Sequence, residues 1–322
     1  FKNNNKWQYI NTGRTAGFNN EYRLVENMNN KLREYKIFLP LYDGIKKIEI
    51  GIDYSSFIQK PKKSEKKPII FYGTSITQGA SASRPGMAHT NIISRKLDRN
   101  VINFGFSGNG RMERPISKLI SESDPIFYVI ECMPNMYPPD LVTSNTIPLV
   151  DSIRARHPKT PIVLVDLFTS PLTLLDNNMK KGTEEMNNAL KTEYNKMIDN
   201  GYDNIIYLES DSALGNDFEG TVDAVHFTDI GFIRYSTFLI EKFKEFNLLK
   251  DWVISKVYYI YYMSNIFRYL VLSIFISCNS NASEIPSEES EFPFTLINEK
   301  ILFIGNSFTF YWNLPSQVER MS

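Results

Sequence analysis

The sequence has few cysteines and few histidines, and its charges balance. It contains two cysteines and three histidines among 322 residues, and its 36 basic residues equal its 36 acidic ones in number. Cys132 and Cys278 lie far apart in unlike surroundings. This pattern excludes a disulfide framework and zinc-ligand spacing, and it predicts that Cys132 is a buried thiol. A net charge of zero gives no field that would attract nucleic acid, so we expect no nucleic-acid partner.

Nucleotide-binding motifs are also missing. The Gly73-Thr74-Ser75 stretch after the first long apolar run continues neither into the glycines of a dinucleotide-binding turn nor into a phosphate-binding lysine. The Gly-x-Ser-x-Gly motif of α/β-hydrolases is excluded, because Thr77 stands two residues after Ser75. We therefore expect no organic cofactor, and the residue spacing indicates no metal site.

From residue 69 to residue 246 the sequence alternates between short apolar runs and helical patterns. The apolar runs are rich in Ile, Val, Phe and Tyr, as buried parallel strands are. The predicted strands span 69–74, 101–106, 125–132, 161–168 and 204–209. The predicted helices span 87–98, 112–122, 139–156, 183–200 and 229–246. Five successive strand–helix units predict an α/β domain, at 69–250, with a doubly wound, mostly parallel sheet and right-handed crossovers.

The first 58 residues are predicted to belong to a small β domain. Residues 32–39 alternate roughly, Asp43-Gly44 is a turn pair, and residues 48–52 alternate cleanly, which together indicate a hairpin. Because a lone hairpin is marginally stable, we expect the rest of this domain to be missing or the hairpin to pack on the following domain. Residues 59–68 are rich in lysine and are interpreted as a solvated linker; a basic surface for an anionic polymer is the alternative.

Residues 251–322 form a tail of different character. A basic residue precedes the apolar run 269–277, which ends before Cys278 and fits a signal peptide better than a membrane span. The run resembles a bacterial lipoprotein signal, so membrane anchoring is expected only through Cys278. A second apolar run ends in Gly-Asn-Ser at 305–307. We interpret Met263 as the start of a second, truncated hydrolase; an anchor helix with a disordered tail is the alternative.

Ser75 is the candidate nucleophile. It follows an apolar run at the point where a buried strand would reach the edge of a sheet, and open α/β sheets bind ligands at such ends. A serine nucleophile needs a base and a third group that orients the base. His89, in a helical pattern, and His157, at a helix end, are expected to be structural or surface residues. His226 stands three residues after Asp223, whose carboxylate can accept the ring N–H.

The predicted topology brings these groups to one edge. Ser75 follows the first strand and His226 follows the fifth, and a parallel sheet directs the carboxyl ends of both strands to the same side. The loops after the second and third strands, which contain Gly108 and Asn135, reach the same side. The N–H groups of Ser75 and Gly108 and the side-chain amide of Asn135 are suitable donors to an oxyanion. A tight turn at Gly108 and a loop cap at Asn135 are the alternatives.

Together these blocks resemble those of the SGNH (GDSL-type) hydrolase superfamily, in order along residues 69–246. They are Gly73-Thr74-Ser75, the Gly108 loop Gly-Phe-Ser-Gly-Asn-Gly, Asn135, and Asp223-x-x-His226. The resemblance implies a flavodoxin-like, three-layer fold with a five-stranded parallel sheet and helices on both faces, preceded by a partial β domain. The first block has Gly-Thr-Ser in place of Gly-Asp-Ser, and the third lacks the usual Gly-x-Asn-Asp.

The resemblance also implies an activity. Ser75 would be the nucleophile, His226 the base and Asp223 the orienting acid, with an oxyanion hole formed by Ser75, Gly108 and Asn135. Family members with a Met-Pro-Asn third block and a preceding β domain include bacterial proteins that act on acylated carbohydrates. We expect a serine esterase for small, acetyl-type esters, including saccharide esters, in an extracytoplasmic location. A non-catalytic carbohydrate-binding protein on a hydrolase fold and a serine acyltransferase are the alternatives.

Overall fold

The computed structural model describes residues 1–14 and 17–249, which contain two sheets. A short antiparallel pair, β1 (Lys2–Asn3) and β2 (Lys6–Trp7), precedes a five-stranded parallel sheet. The strands of the larger sheet are β3 (Ile69–Gly73), β4 (Val101–Gly105), β5 (Phe127–Glu131), β6 (Ile162–Val165) and β7 (Ile205–Leu208). Their order is β4-β3-β5-β6-β7. This order is that of a flavodoxin-like sheet, so the predicted fold class is confirmed.

Helices cover both faces of the large sheet. They are α1 (Ser75–Gln78), α2 (His89–Leu97), α3 (Arg114–Ile120), α4 (Pro139–Arg154), α5 (Asn177–Asp199) and α6 (Asp229–Glu245). Helix α2 packs on α6, whereas α4 packs on both α3 and α5. Each helix of nine or more residues lies where a helical pattern was predicted, but α5 begins six residues before residue 183, the predicted start. The Asp176 side chain caps that earlier start by accepting hydrogen bonds from Asn178 and Met179 N–H groups.

Alternate side chains of the central strands enter two different cores. Phe71 and Phe127 contact the ring of Phe243 on α6, at centroid distances of 6.4 and 4.7 Å. Tyr72 and Tyr128 point to the other face, into the cluster of buried side chains that includes residues of α3, α4 and α5. Both faces of these strands are therefore buried, which is why their sequences are apolar at nearly every position.

The register of the sheet aligns the carboxyl ends of three strands. Gly73 at the end of β3 pairs with Gly105 of β4 on one side and with Glu131 of β5 on the other. The strand order reverses at β3 and β5, and the crevice at such a reversal is where open α/β sheets bind ligands. The residues that follow Gly73, Gly105 and Glu131 therefore surround one crevice.

The predicted hairpin in the N-terminal segment, residues 1–58, is wrong. No strand forms between residues 32 and 52, and Ile48, Ile50 and Ile52 are exposed. A hairpin stabilises itself only when one face is buried against another layer, and these isoleucines find no such layer. The segment instead contacts the parallel-sheet domain through individual residues, among them Leu41, which is 7% exposed.

Other expectations concern the linker and the tail. Residues 59–67 are exposed and contain no helix or strand. Residues 251–322, with Cys278, lie outside the described residues. Among the described residues, none of the helices combines the length and the apolar character needed to cross a membrane.

Glycine packing at the crevice gives a test of this architecture. A Cβ at Gly105 would lie 2.1 Å from the backbone N of Gln78, whereas a Cβ at Gly182, within α5, would meet nothing within 4 Å. We expect Gly105→Ala to lower the free energy of unfolding by about 1–3 kcal/mol or more through overpacking. Gly182→Ala is the matched control and should raise it by about 0.5–1 kcal/mol. Urea unfolding measures both, and equal stabilities would contradict the close approach.

Candidate active site

Ser75 opens the short helix α1 directly after β3. The Thr74 side chain caps this helix by accepting a hydrogen bond from the Ile76 N–H at 3.3 Å. Thr77 holds the next turn, because its hydroxyl donates to Glu131 Oε1 at 2.6 Å. Ser75 itself is 8% exposed. Its N–H lies in the first helical turn, where it has no intrahelical acceptor.

His226 and Asp223 meet Ser75 across the crevice. Ser75 Oγ lies 2.9 Å from His226 Nε2, and His226 Nδ1 lies 2.7 Å from Asp223 Oδ2. The carboxylate can only accept, so Nδ1 carries the proton and Nε2 offers its lone pair to the serine hydroxyl. This is the tautomer that a general base toward Ser75 requires.

A tight turn presents the imidazole. Asp223 Oδ1 accepts hydrogen bonds from the N–H groups of Val225 at 3.0 Å and His226 at 2.7 Å. Ala224 between them has a φ of +69°, in the left-handed region. The Ser170 hydroxyl donates to the Ala224 carbonyl at 2.9 Å, so the loop after β6 supports this turn.

These contacts determine the charge of the carboxylate. The hydrogen bond from the His226 side chain, followed by that from its backbone N–H, lowers the pKa of Asp223 to about 2. The carboxylate is therefore ionised throughout the neutral and mildly acidic range. It is 51% exposed, so its charge is stabilised by local donors and water rather than by a buried partner.

The Gly108 loop lies against the Ser75 turn. The Phe106 N–H donates to the Gly73 carbonyl at 3.0 Å, and Gly108 has a φ of +70°. Gly110 has a φ of +74°, and a Cβ there would lie 2.0 Å from the Gly73 oxygen. A side chain at Gly110 would push the loop away from the Ser75 turn, which explains the glycine at this position.

Asn135 lies in a short 3-10 turn, Met133–Asn135, after β5. Its side-chain Nδ2 donates to the Asn109 carbonyl at 2.5 Å. An amide NH₂ has two donor hydrogens, so this bond orients the group and leaves one hydrogen for another acceptor. The structure thus brings Asn135 to the Gly108 loop, as the topology predicted.

Comparison with known proteins identifies the family of the chain. The GDSL-like lipase/acylhydrolase family matches residues 66–244, more than half of the chain. The chain belongs to this family. Residues 1–58 match the N-terminus of SGNH-hydro-type esterases. No curated protein matches the sequence.

Two solved structures with the same fold each match the chain over part of their length. A protein from Bacteroides ovatus described as a GDSL-like lipase is 34% identical, with a TM-score of 0.62, over 66% of this chain and 62% of that one. A salicylyl-acyltransferase from a tetracycline biosynthetic pathway is 20% identical, with a TM-score of 0.53, over 59% of this chain and 57% of that one. The chain therefore spans about three fifths of the length of each.

The other two histidines lie apart from the Ser75–His226 contact. His89 is fully buried, with Nε2 2.8 Å from Glu131 Oε1, and His157 Nε2 lies 2.8 Å from the Ser121 carbonyl. Both are structural, as the sequence predicted. Cys132 is a free, buried thiol, which is also confirmed, and burial raises its pKa well above the usual range.

Sequence reasoning missed the role of Glu131. Its Oε1 accepts hydrogen bonds from Thr77 and approaches His89, and its Oε2 accepts one from the Tyr235 hydroxyl at 3.0 Å. Glu131 thereby links α1, which begins with Ser75, to α2 and α6. The signal in the sequence was an acidic residue at the end of an otherwise apolar strand. A carboxylate buried there requires several hydrogen-bond donors, which implies a structural role. Within the described residues there is no cluster of three or more histidine, cysteine or acidic residues that could hold a metal.

The cause of the Asp223 ionisation can be tested by titration. We expect ¹³C NMR to report a pKa of about 2 for the Asp223 carboxyl and a rise toward the ordinary range in His226→Ala. Asp217 is the matched control, because its pKa is also lowered to about 2, but by Arg234. Because the pKa of Asp223 is lower in the folded than in the unfolded state, its ionisation stabilises the fold at pH values above the ordinary carboxyl pKa. That contribution is lost as the pH falls through about 2. An unchanged Asp223 titration in His226→Ala would contradict the assignment.

Proposed function

We propose that the chain is a metal-independent serine esterase that hydrolyses small, acetyl-type esters, including esters of saccharides. The observation that carries the proposal is the continuous path Ser75 Oγ–His226 Nε2 and His226 Nδ1–Asp223 Oδ2, at 2.9 and 2.7 Å. Membership of the GDSL-like lipase/acylhydrolase family supports acyl chemistry at this site.

Acylation begins when His226 Nε2 removes the Ser75 hydroxyl proton while Oγ attacks the ester carbonyl. The carbonyl π electrons move onto oxygen, and the resulting oxyanion accepts hydrogen bonds from the N–H groups of Ser75 and Gly108 and from the Asn135 amide. The C–O bond to the alcohol then breaks, and His226 returns the proton to the leaving oxygen. Asp223 keeps the Nδ1 proton in place and stabilises the imidazolium.

Deacylation repeats these steps with water as the nucleophile. His226 Nε2 takes a proton from water, the hydroxide oxygen attacks the acyl carbon, and Ser75 Oγ leaves with the proton that His226 returns. The products are a carboxylic acid and the free enzyme. If an alcohol replaces water in this half-reaction, the same groups perform acyl transfer.

Substitution of the three site residues tests the proposal. We expect wild-type protein to hydrolyse a short-chain aryl acetate, and Ser75→Ala and His226→Ala each to lower kcat by several orders of magnitude, because such residues act as a unit. Asp223→Asn should lose less, because a backbone carbonyl of the short Asp-x-x-His turn can partly replace the carboxylate as the acceptor of the ring N–H. His157→Ala is the histidine control and should retain kcat. Equal turnover by wild type and Ser75→Ala would remove the nucleophile assignment.

The products distinguish hydrolysis from the alternatives. Acetate release that is insensitive to added alcohol supports hydrolysis, whereas a transesterified product that forms in preference to acetate would favour an acyltransferase. Saccharide binding without turnover of any acetylated substrate would favour a binding protein. The contact between Ser75 and His226 supports catalysis over binding alone.

Tyr137 supports saccharide esters as substrates. It lies two residues after Asn135 and is 73% exposed, so its ring is free to pack on an apolar sugar face. We expect Tyr137→Ala to raise KM for an acetylated oligosaccharide about 2- to 10-fold, as the loss of one aromatic contact would. KM for a small aryl acetate should not change. Tyr54→Ala, at a fully exposed tyrosine of the N-terminal segment, is the control; equal effects on both substrates would exclude a sugar-specific role.

A further inference from the structure

We propose that Gln78, supported by Leu41 of the N-terminal segment, is a positioning residue that sets the Gly108 N–H of the oxyanion hole. This inference rests on the proposed esterase function. It assigns a catalytic purpose to a contact between two parts of the chain that are 37 residues apart in sequence.

Gln78 joins two backbone groups across the crevice. Its Oε1 accepts a hydrogen bond from the Ser107 N–H at 2.9 Å, and its Nε2 donates to the Leu41 carbonyl at 2.9 Å. The side chain is 1% exposed, so water does not compete for either bond. The residue that Gln78 holds, Ser107, directly precedes Gly108.

A further contact brings the N-terminal segment to the helix that carries Gln78. The Leu41 side chain is buried, and a Cβ added at Gly79 would lie 2.7 Å from its Cδ1, so it packs closely on the end of α1. The segment therefore packs on the end of α1 and is linked to Ser107 through the Gln78 side chain.

The beginning of the segment is attached at a different place. Asp98, which ends α2, accepts hydrogen bonds from the Trp7 indole N–H and from the Lys2 ammonium, both at 2.8 Å. The Arg84 guanidinium lies over the Tyr9 ring, 3.8 Å from its centroid. The segment is thus held at α2 before it reaches the crevice, so Leu41 is presented from a supported chain rather than from a free end.

The physical reason for a catalytic effect is the flexibility of glycine. Gly108 has a φ of +70°, and glycine permits many alternative orientations of its N–H at little cost. The bond from Ser107 N–H to Gln78 removes this freedom just before Gly108. Without the Leu41 carbonyl, the buried Gln78 amide would lack an acceptor, which is costly, and the side chain would reorient and release Ser107. Oxyanion donors act mainly in the transition state, so their misplacement lowers kcat more than it raises KM.

The test compares Gln78→Met, which keeps the side-chain length but removes both hydrogen bonds, with Leu41→Ala. Leu32→Ala is the matched control, because Leu32 lies in the same segment and is 74% exposed. Steady-state kinetics on an aryl acetate give kcat, KM and the pH profile. Inhibition by phenylboronic acid, which forms a tetrahedral adduct on the serine, reports the oxyanion hole independently of turnover. Thermal unfolding confirms that each variant is folded at the assay temperature.

We expect Gln78→Met to lower kcat about 10- to 100-fold, less than the roughly 10²–10³-fold effect of removing a donor outright, as in Asn135→Ala. Boronate affinity should fall in proportion, while KM and the acid limb of the pH profile stay unchanged, because Asp223 and His226 are untouched. Leu41→Ala keeps the carbonyl that accepts from Gln78 but removes the side chain that packs on the end of α1, so it should lower kcat and boronate affinity by smaller factors. Leu32→Ala should change neither.

Three outcomes overturn the inference. A folded Gln78→Met with wild-type kcat and boronate affinity rejects it and leaves the esterase proposal intact. A change in KM alone assigns Gln78 to ground-state binding rather than to the oxyanion hole. A wild-type protein that neither hydrolyses esters nor binds the boronate rejects the proposed function and this inference together.

Discussion

The close approach of three backbone segments at the carboxyl edge of the sheet is the constraint on which the site depends. The register places Gly73 beside Gly105 and Glu131, and Gly110 folds back until its Cα lies against the Gly73 carbonyl. A Cβ at Gly105 or Gly110 would lie about 2 Å from backbone atoms. Only glycine permits such contacts, and they hold the nucleophile turn and the Gly108 loop together before any side chain is considered.

A buried carboxylate stabilises this edge from beneath. Glu131 is nearly inaccessible, yet Thr77, His89 and Tyr235 together satisfy both of its oxygens. Burial of a carboxylate is costly unless donors replace its water, and here the donors come from α1, α2 and α6. Within the described residues His89 Nδ1 has no hydrogen-bond partner. A neutral ring with its proton on Nε2, facing Glu131, leaves only a lone pair at Nδ1 among aromatic neighbours.

A structural feature could be predicted from the sequence when the residues of that feature themselves show its cause. The five parallel strands begin and end within about three residues of their predicted bounds, because a strand that is buried on both faces is apolar along its whole length. The meeting of Ser75 with His226 was predictable from the parallel direction of the strands, which brings the loops after the first and fifth strands to one edge. The hairpin at residues 32–52 was not, because alternation also occurs in segments that lack a layer to pack on. The contact of Gln78 with Leu41 was not predictable either, because it depends on a backbone carbonyl of an irregular segment, which leaves no trace in residue type or spacing.

The site is assembled from two parts that are stabilised in different ways. Ser75 and its donors depend on a buried edge where glycines, Glu131 and Gln78 leave almost no space for water. Asp223 and His226 depend on a partly exposed turn whose own N–H groups hold the carboxylate and lower its pKa. Because the N–H groups of its own turn stabilise the Asp223 carboxylate, this group is ionised without a buried partner. The same turn fixes the orientation of the His226 ring. In the proposed mechanism, the buried edge determines where the oxyanion donors point relative to Ser75, so the catalytic geometry depends on that edge.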